Sequence, residues 1–159
     1  MPETDYPVFR HALQEDAEAV FELLTQPAER GLILPRTLEE IAARAGEYLI
    51  AEQDGYIVGC VTLKDYGQGL HEIRSLAVAP EESGKRIGST LVERALEEAR
   101  KKTANRVFAL TYRPHLFERL RFKRVPKSQF PQKVWDDCSR CPERRHCREI
   151  ALVLMLGRP

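Results

Sequence analysis

The stretch from Leu76 to Leu91 constrains this chain more than any other. An apolar run ends at Pro80, a short charged loop carries Gly84 and Gly88, and a helical pattern opens at Ile87. Strand, glycine-containing loop and helix start, in that order, make a cradle for phosphate. The N–H groups of a helix's first turn have no partner within the helix, and the helix dipole favours negative charge there. Glycine lets the main chain come close to the anion. An ordinary strand-to-helix turn is the competing reading. Neither G-x-G-x-x-G nor G-x-x-x-x-G-K-[ST] can be read in the stretch, which excludes the two commonest nucleotide loops.

At 159 residues and 43% hydrophobic composition, the chain is expected to form one domain, residues 1–159, with a real core. Its 25 basic and 24 acidic residues nearly cancel, so overall charge argues for neither nucleic acid nor membrane. No apolar run approaches the ~18 residues of a membrane span, and residues 1–5 lack the basic and apolar regions of a signal peptide. A cytoplasmic location is expected. Without a secretory signal, disulfides explain the four cysteines poorly, and Cys60 in an apolar strand reads as a small buried hydrophobe.

Taken in order, residues 8–13 read as a strand. Ala17, Val20, Phe21 and Leu24 then recur at helical spacing, giving a helix over 15–26 that stops near Pro27. An apolar loop, 31–36, ends on Arg36. Thr37 and Glu40 have the form of a capping box opening a second helix to about Ala45. Residues 48–52 and 56–63 flank Asp54-Gly55, a strong hairpin signal. Residues 67–69 turn into a strand over 70–79. A helix over 86–102 places Ile87, Leu91, Val92, Ala95, Leu96 and Ala99 on one side. A strand at 105–111 follows; because a helix joins it to the previous strand, the two should run parallel. Pro114 suits the first turn of a short helix, and Phe122 opens another strand. The fold class is α/β: a mixed central sheet of about seven strands with about four helices, antiparallel in its N-terminal part and parallel at its centre.

Residues 83–88 read Ser83-Gly84-Lys85-Arg86-Ile87-Gly88, which resembles the pyrophosphate loop of the GNAT N-acetyltransferase superfamily, Q/R-x-x-G-x-G/A. Ser83 stands where that pattern has Gln or Arg, and Arg86 where it has its first Gly. The lead-in over 72–78 resembles the family's fourth strand. Residues 31–40 are similar to the LLPRS substrate loop of the N-acetylglutamate synthases. Residues 107–113 with 117–122 resemble another segment of theirs, except that Arg121 replaces a Gly. The tail from Phe130 through Trp135 to the cysteines at 138–147 resembles the short bacterial form, which lacks the amino-acid-kinase domain of the larger synthases.

The resemblance implies a GNAT fold and acetyl transfer from acetyl-CoA to the α-amine of L-glutamate, the first step of arginine biosynthesis. Another amino acid, a polyamine or a protein N-terminus is the alternative acceptor, and a non-catalytic acyl-CoA-binding module is a rival of another class. The resemblance further implies that backbone groups of Leu76, Ala77 and Val78 align the pantetheine arm, and that those of Gly84, Lys85, Arg86, Ile87, Gly88 and Ser89 hold the diphosphate. The Lys85 and Arg86 side chains either add positive charge or are solvated surface.

An amino acid arrives mainly as an ammonium, which must lose a proton before it attacks. The resemblance implies Glu72 as the base, since the family uses carboxylates at this point of the strand, with a strand-edge surface Glu as the rival reading. Phe117 stands where many relatives carry an acidic tyrosine, which leaves Tyr112 or Thr111 as the candidate acid. Glutamate's two carboxylates call for several cations, preferably arginines, and Arg36, Arg74 and Arg113 lie at family-matched places. Alternation puts Arg74 on the face of Glu72 unless a bulge intervenes. Cys138, Cys141 and Cys147 with His146 are compatible with zinc, yet the second pair lacks normal ligand spacing, so a loop of free thiols is preferred and no metal is expected. The partners expected are the two small substrates and, as in related transferases, a possible second copy in a homodimer.

Overall fold

A computed structural model describes residues 6–82, 85–130 and 149–157. In chain order the elements are β1 (Val8–His11), α1 (Ala17–Glu29), α2 (Leu38–Ala43), β2 (Tyr48–Gln53), β3 (Tyr56–Asp65), β4 (Leu70–Val78), α3 (Ile87–Lys101), β5 (Arg106–Thr111), α4 (Pro114–Arg119), β6 (Lys123–Val125) and β7 (Ile150–Met155). One sheet has the order β1-β2-β3-β4-β5-β7-β6, and every neighbouring pair is antiparallel except β4 and β5. The expected α/β class, with its single parallel step at the centre, is therefore present. The strand for which no segment is named in the sequence reading is β7, which enters between β5 and β6.

Local chemistry accounts for most boundaries. The Thr37 hydroxyl accepts the Glu40 N–H at 3.1 Å, and Glu40 Oε2 accepts the Thr37 N–H at 3.3 Å, closing the capping box that starts α2. That helix ends at Ala43, short of Ala45, and a tight turn over 45–47 leads into β2. Asp54 and Gly55 both have positive φ, 52° and 83°, as the two-residue turn between twisted strands requires. Pro114 occupies the first turn of α4, where its missing N–H costs nothing. Pro27 corrects an expectation: it lies inside α1, in the last turn. There it forfeits one helical hydrogen bond near the helix end, and its fixed φ is already helical.

Alternation along β2 divides the core. Leu49 and Ala51 join the cluster under α3, with Val61, Ile73, Leu91, Val92 and Leu96. Tyr48 and Ile50 join the cluster under α1 and α2, with Cys60, Ala77 and Val20. The apolar face foreseen for α3 is the face that is buried. Gly59 lets this helix lie close to the sheet, since a Cβ there would meet Ile87 and Leu91 side-chain carbons at 3.0 Å.

Two departures from the family pattern share one backbone feature. Arg86 and Arg121, each standing where a related sequence has Gly, both adopt left-handed conformations, with φ of 62° and 74°. A side chain there costs about 1–2 kcal/mol, which glycine avoids.

Candidate active site

The site is made where the parallel pair comes apart. Strands β4 and β5 are in register from Leu70 opposite Arg106 to Ile73 opposite Ala109, and no further. On its other edge β4 stays paired with β3 as far as Val78. That pairing contains an irregularity: Cys60 faces Ala77 while Thr62 faces Arg74, so Ser75 and Leu76 together oppose Val61. Ser75 has a φ of 51°, and its carbonyl accepts the Cys60 thiol at 3.4 Å. A bulge of this kind bends the strand and strengthens its twist. Burial pushes the Cys60 thiol up to about 12, which makes it an inert core group.

Beyond Ile73 the strands enclose a cleft of about 880 Å³. Residues 72–78 of β4 form one wall, residues 110–117 from β5 into α4 form the opposite one, and the end of α1 with the apolar loop to Arg36 covers it. Three arginines expected from the sequence, Arg36, Arg74 and Arg113, all line this cleft, as do Glu72, Thr111 and Tyr112. The bulge begins after Arg74, so the alternation argument holds where it matters. Arg74 Nε lies 3.3 Å from Glu72 Oε1.

Glu72 is 2% exposed, which rules out the surface-carboxylate reading. Its register partners are Lys64 on β3 and Phe108 on β5, and the Tyr66 ring lies 5.8 Å from that of Phe108, so side chains from both neighbouring strands crowd the carboxylate. A buried carboxylate needs partners, and Tyr66 supplies one that sequence reasoning missed: its hydroxyl donates to Glu72 Oε1 at 3.0 Å. The signal was available in principle. Lys64 is the register partner of Glu72, and Tyr66 follows two residues later, one past the end of β3. Thr111 Oγ1 accepts the Arg113 N–H at 2.9 Å, which shapes the turn into α4 and leaves its O–H as a donor. The Tyr48 phenol, beneath the bulge, is pushed up chiefly by burial.

The coenzyme residues fall into three groups. Leu76, Ala77, Val78 and Gly88 line the cleft. Ile87 is 2% exposed and its side chain belongs to the core, so only its main chain is available. Lys85 and Arg86 are exposed, and Lys85 Nζ pairs with Glu82 at 2.6 Å. Ser89, half-buried, completes the first turn of α3. Ser83 and Gly84 lie outside the described residues, as do Cys138, Cys141, His146 and Cys147, so the zinc question falls there too. Among the described residues no three His, Cys, Asp or Glu side chains gather in a metal-like group, and no helix is long and apolar enough to cross a membrane.

The start of α3 fits a diphosphate-bearing substrate on two counts. Its first turn carries no acidic residue that would compete with an anion. A Cβ on Gly88 would sit 3.1 Å from Leu116 and 3.6 Å from Val78, so the helix start is closely packed at the cleft wall and a larger residue would intrude.

Comparison with known proteins agrees with this geometry. Residues 9–122 match the Acetyltransferase (GNAT) family. An uncharacterized N-acetyltransferase of Chlorobaculum tepidum is 39% identical over 156 residues, covering 98% of this chain and 100% of that protein. An amino-acid acetyltransferase of Mycobacterium tuberculosis is 32% identical over 137 residues, covering 84% of this chain and 78% of that one. The structure of N-acetylglutamate synthase from Neisseria gonorrhoeae, complexed with coenzyme A and N-acetyl-glutamate, superposes with a TM-score of 0.84 at 25% identity. The match covers 98% of this chain and 36% of the synthase. The chain belongs to the GNAT acetyltransferase family and is an acetyl-CoA-dependent N-acetyltransferase.

Proposed function

We propose that the acceptor is the α-amine of L-glutamate, which makes the protein an N-acetylglutamate synthase acting at the entry to arginine biosynthesis. The observation that carries this reading is the gathering of Arg36, Arg74 and Arg113 with one buried carboxylate, Glu72, in a single cleft. A dicarboxylic amino acid needs cations for both carboxylates and a base for its ammonium, and bidentate arginine contacts suit the former. A related synthase bound to coenzyme A and N-acetyl-glutamate supports the same acceptor.

In this reading the main chain of Leu76–Val78 aligns the pantetheine arm, and the amides of Gly84–Ser89, at the head of α3, receive the diphosphate. Lys85 and Arg86 add long-range positive charge. Glu72 takes a proton from the ammonium, directly or through one water. The neutral amine attacks the thioester carbonyl, an N–C bond forms, and the C–S bond breaks. Thr111 or Tyr112 supplies a proton to the departing sulfur, and the surplus proton on the new amide nitrogen makes good that loss. A thiol near the ordinary cysteine value of ~8.5 leaves tolerably even without it.

Thiol release by the purified protein with acetyl-CoA and a panel of amines tests the acceptor. Glutamate is expected to release CoA in step with N-acetylglutamate formation, and Arg36→Ala is expected to weaken dicarboxylic acceptors selectively, by about tenfold or more in kcat/KM. CoA release with another amine but none with glutamate would overturn the assignment.

A further inference from the structure

We infer that Tyr66 is a positioning residue for the acetyl transfer: its hydroxyl fixes the Glu72 carboxylate and holds it ionised inside the protein. The inference rests on the reading of Glu72 as the base, and goes beyond it by naming what keeps that base competent. A carboxylate that is 2% exposed tends to take up a proton, because burial disfavours its charge. Unless something offsets this, the base is already protonated where the acceptor ammonium must be discharged.

One hydrogen-bond donor and one cation converge on the same oxygen. The Tyr66 hydroxyl reaches Glu72 Oε1 at 3.0 Å and Arg74 Nε lies 3.3 Å from it. Hydrogen bonds to the charged form favour that form. Arg74 lines the cleft together with Glu72, whereas Tyr66 is not among the lining residues. Tyr66 can therefore act on Glu72 without touching substrate.

Its own position is firmly set. The Tyr66 N–H donates to the Leu70 carbonyl at 2.9 Å across the β3–β4 turn. Its ring lies 5.8 Å from that of Phe108, which in turn stacks on Phe130 at 4.2 Å with the planes 7° apart. These rings sit at the closed end of the β4–β5 pair, where Phe108 is the register partner of Glu72. The paired, apolar end of the sheet thus delivers one hydroxyl to the polar end.

Other charges face Glu72. Lys64 is its register partner on β3, with Nζ 4.7 Å from the Tyr66 ring centroid, and Arg74 lies on β4 itself. Arg30, Arg36, Arg113, His115, Arg119 and Glu149 line the same cleft. Tyr66→Phe removes none of them, so a change in Glu72 titration between the two proteins reports the hydroxyl.

The decisive measurement is the titration midpoint of Glu72 in the full-length protein, followed by carbon NMR of glutamate-labelled samples and assigned with Glu72→Gln. Loss of a donor to the ionised form raises the midpoint, and Tyr66→Phe is expected to move it up by about one pH unit, a tenfold change in proton affinity. In turnover, the acid limb of kcat/KM is expected to move to higher pH by the same amount, with KM for acetyl-CoA unchanged. A midpoint equal in the two proteins overturns the inference, whatever the acceptor. A midpoint that moves while the acid limb stays fixed supports the hold on Glu72 and overturns Glu72 as the base, so the two claims fail separately.

Discussion

The protein contains two arginine–carboxylate groups that are alike in chemistry and opposite in use. Arg10 on β1 donates from Nη1 to Asp16 at 2.8 Å and from Nε to Glu52 on β2 at 2.8 Å. Asp16 Oδ2 also accepts the Leu13 N–H at 2.7 Å, so the group clamps the edge of the sheet to the start of α1. Arg74 and Glu72 sit mid-sheet, where β4 and β5 part, and both line the cleft. The first group closes a corner, and the second opens onto a cavity. Residue type does not separate them, and the shorter ion pairs, 2.8 Å against 3.3 Å, do not mark the one at the cavity. What separates them is the place each occupies in the strand order.

The contrast would be broken most sharply by Glu72→Gln. Turnover is expected to fall about 10²- to 10⁴-fold, the usual weight of a general base, while thermal unfolding changes little because the amide can still accept from Tyr66. A variant with near-normal turnover in acetyl transfer would remove Glu72 from the chemistry. Arg10→Ala should behave in the opposite sense. With Arg10 one-third exposed, solvent screening keeps the loss to about 1–2 kcal/mol in denaturant unfolding, and kcat is expected to be unchanged.

A smaller effect follows from pH. The Arg10 hydrogen bond, first among several causes, holds the Asp16 carboxyl below its ordinary value of 3.8. A carboxyl with a depressed folded value adds stability above its unfolded value and loses it as pH falls through the folded one. Asp16→Asn is therefore expected to be less stable than the parent near neutrality, with the gap closing as pH drops below about 4. Equal stability at all pH values would show that the clamp contributes nothing. Smallest of all, Arg121→Gly is expected to gain about 0.5–1 kcal/mol by relieving a left-handed residue that belongs to neither group, read as a raised unfolding midpoint.

Features set by near neighbours were legible in the sequence. The capping box of Thr37 and Glu40, the Asp54-Gly55 turn, the buried stripe of α3 and the parallel step between β4 and β5 each follow from short spacings or from one connecting helix. The arginines were legible through resemblance, and the structure brings all three to one cleft. Features that depend on strand order were not. Nothing near Glu72 in the chain marks it as buried, since its neighbours Tyr66 and Phe108 reach it only once the strands are paired. Strand β7 pairs with β5, nearly 40 residues earlier in the chain and across its whole length, a non-local choice that periodicity does not encode. Tyr66 needed both the turn and the register before its hydroxyl could be placed on Glu72. The bulge at Ser75 is likewise a product of pairing, because a serine carries no local preference for a φ of 51°.

The central claim is that the gap between β4 and β5 is where acetyl-CoA and the acceptor meet. A crystal structure with coenzyme A and N-acetylglutamate bound tests it most directly. The account predicts the diphosphate on the main-chain amides at the head of α3, the acetylated nitrogen beside Glu72, and the two carboxylates against the cleft arginines. A coenzyme seated elsewhere, with the cleft empty or its arginines facing no carboxylate, would contradict it.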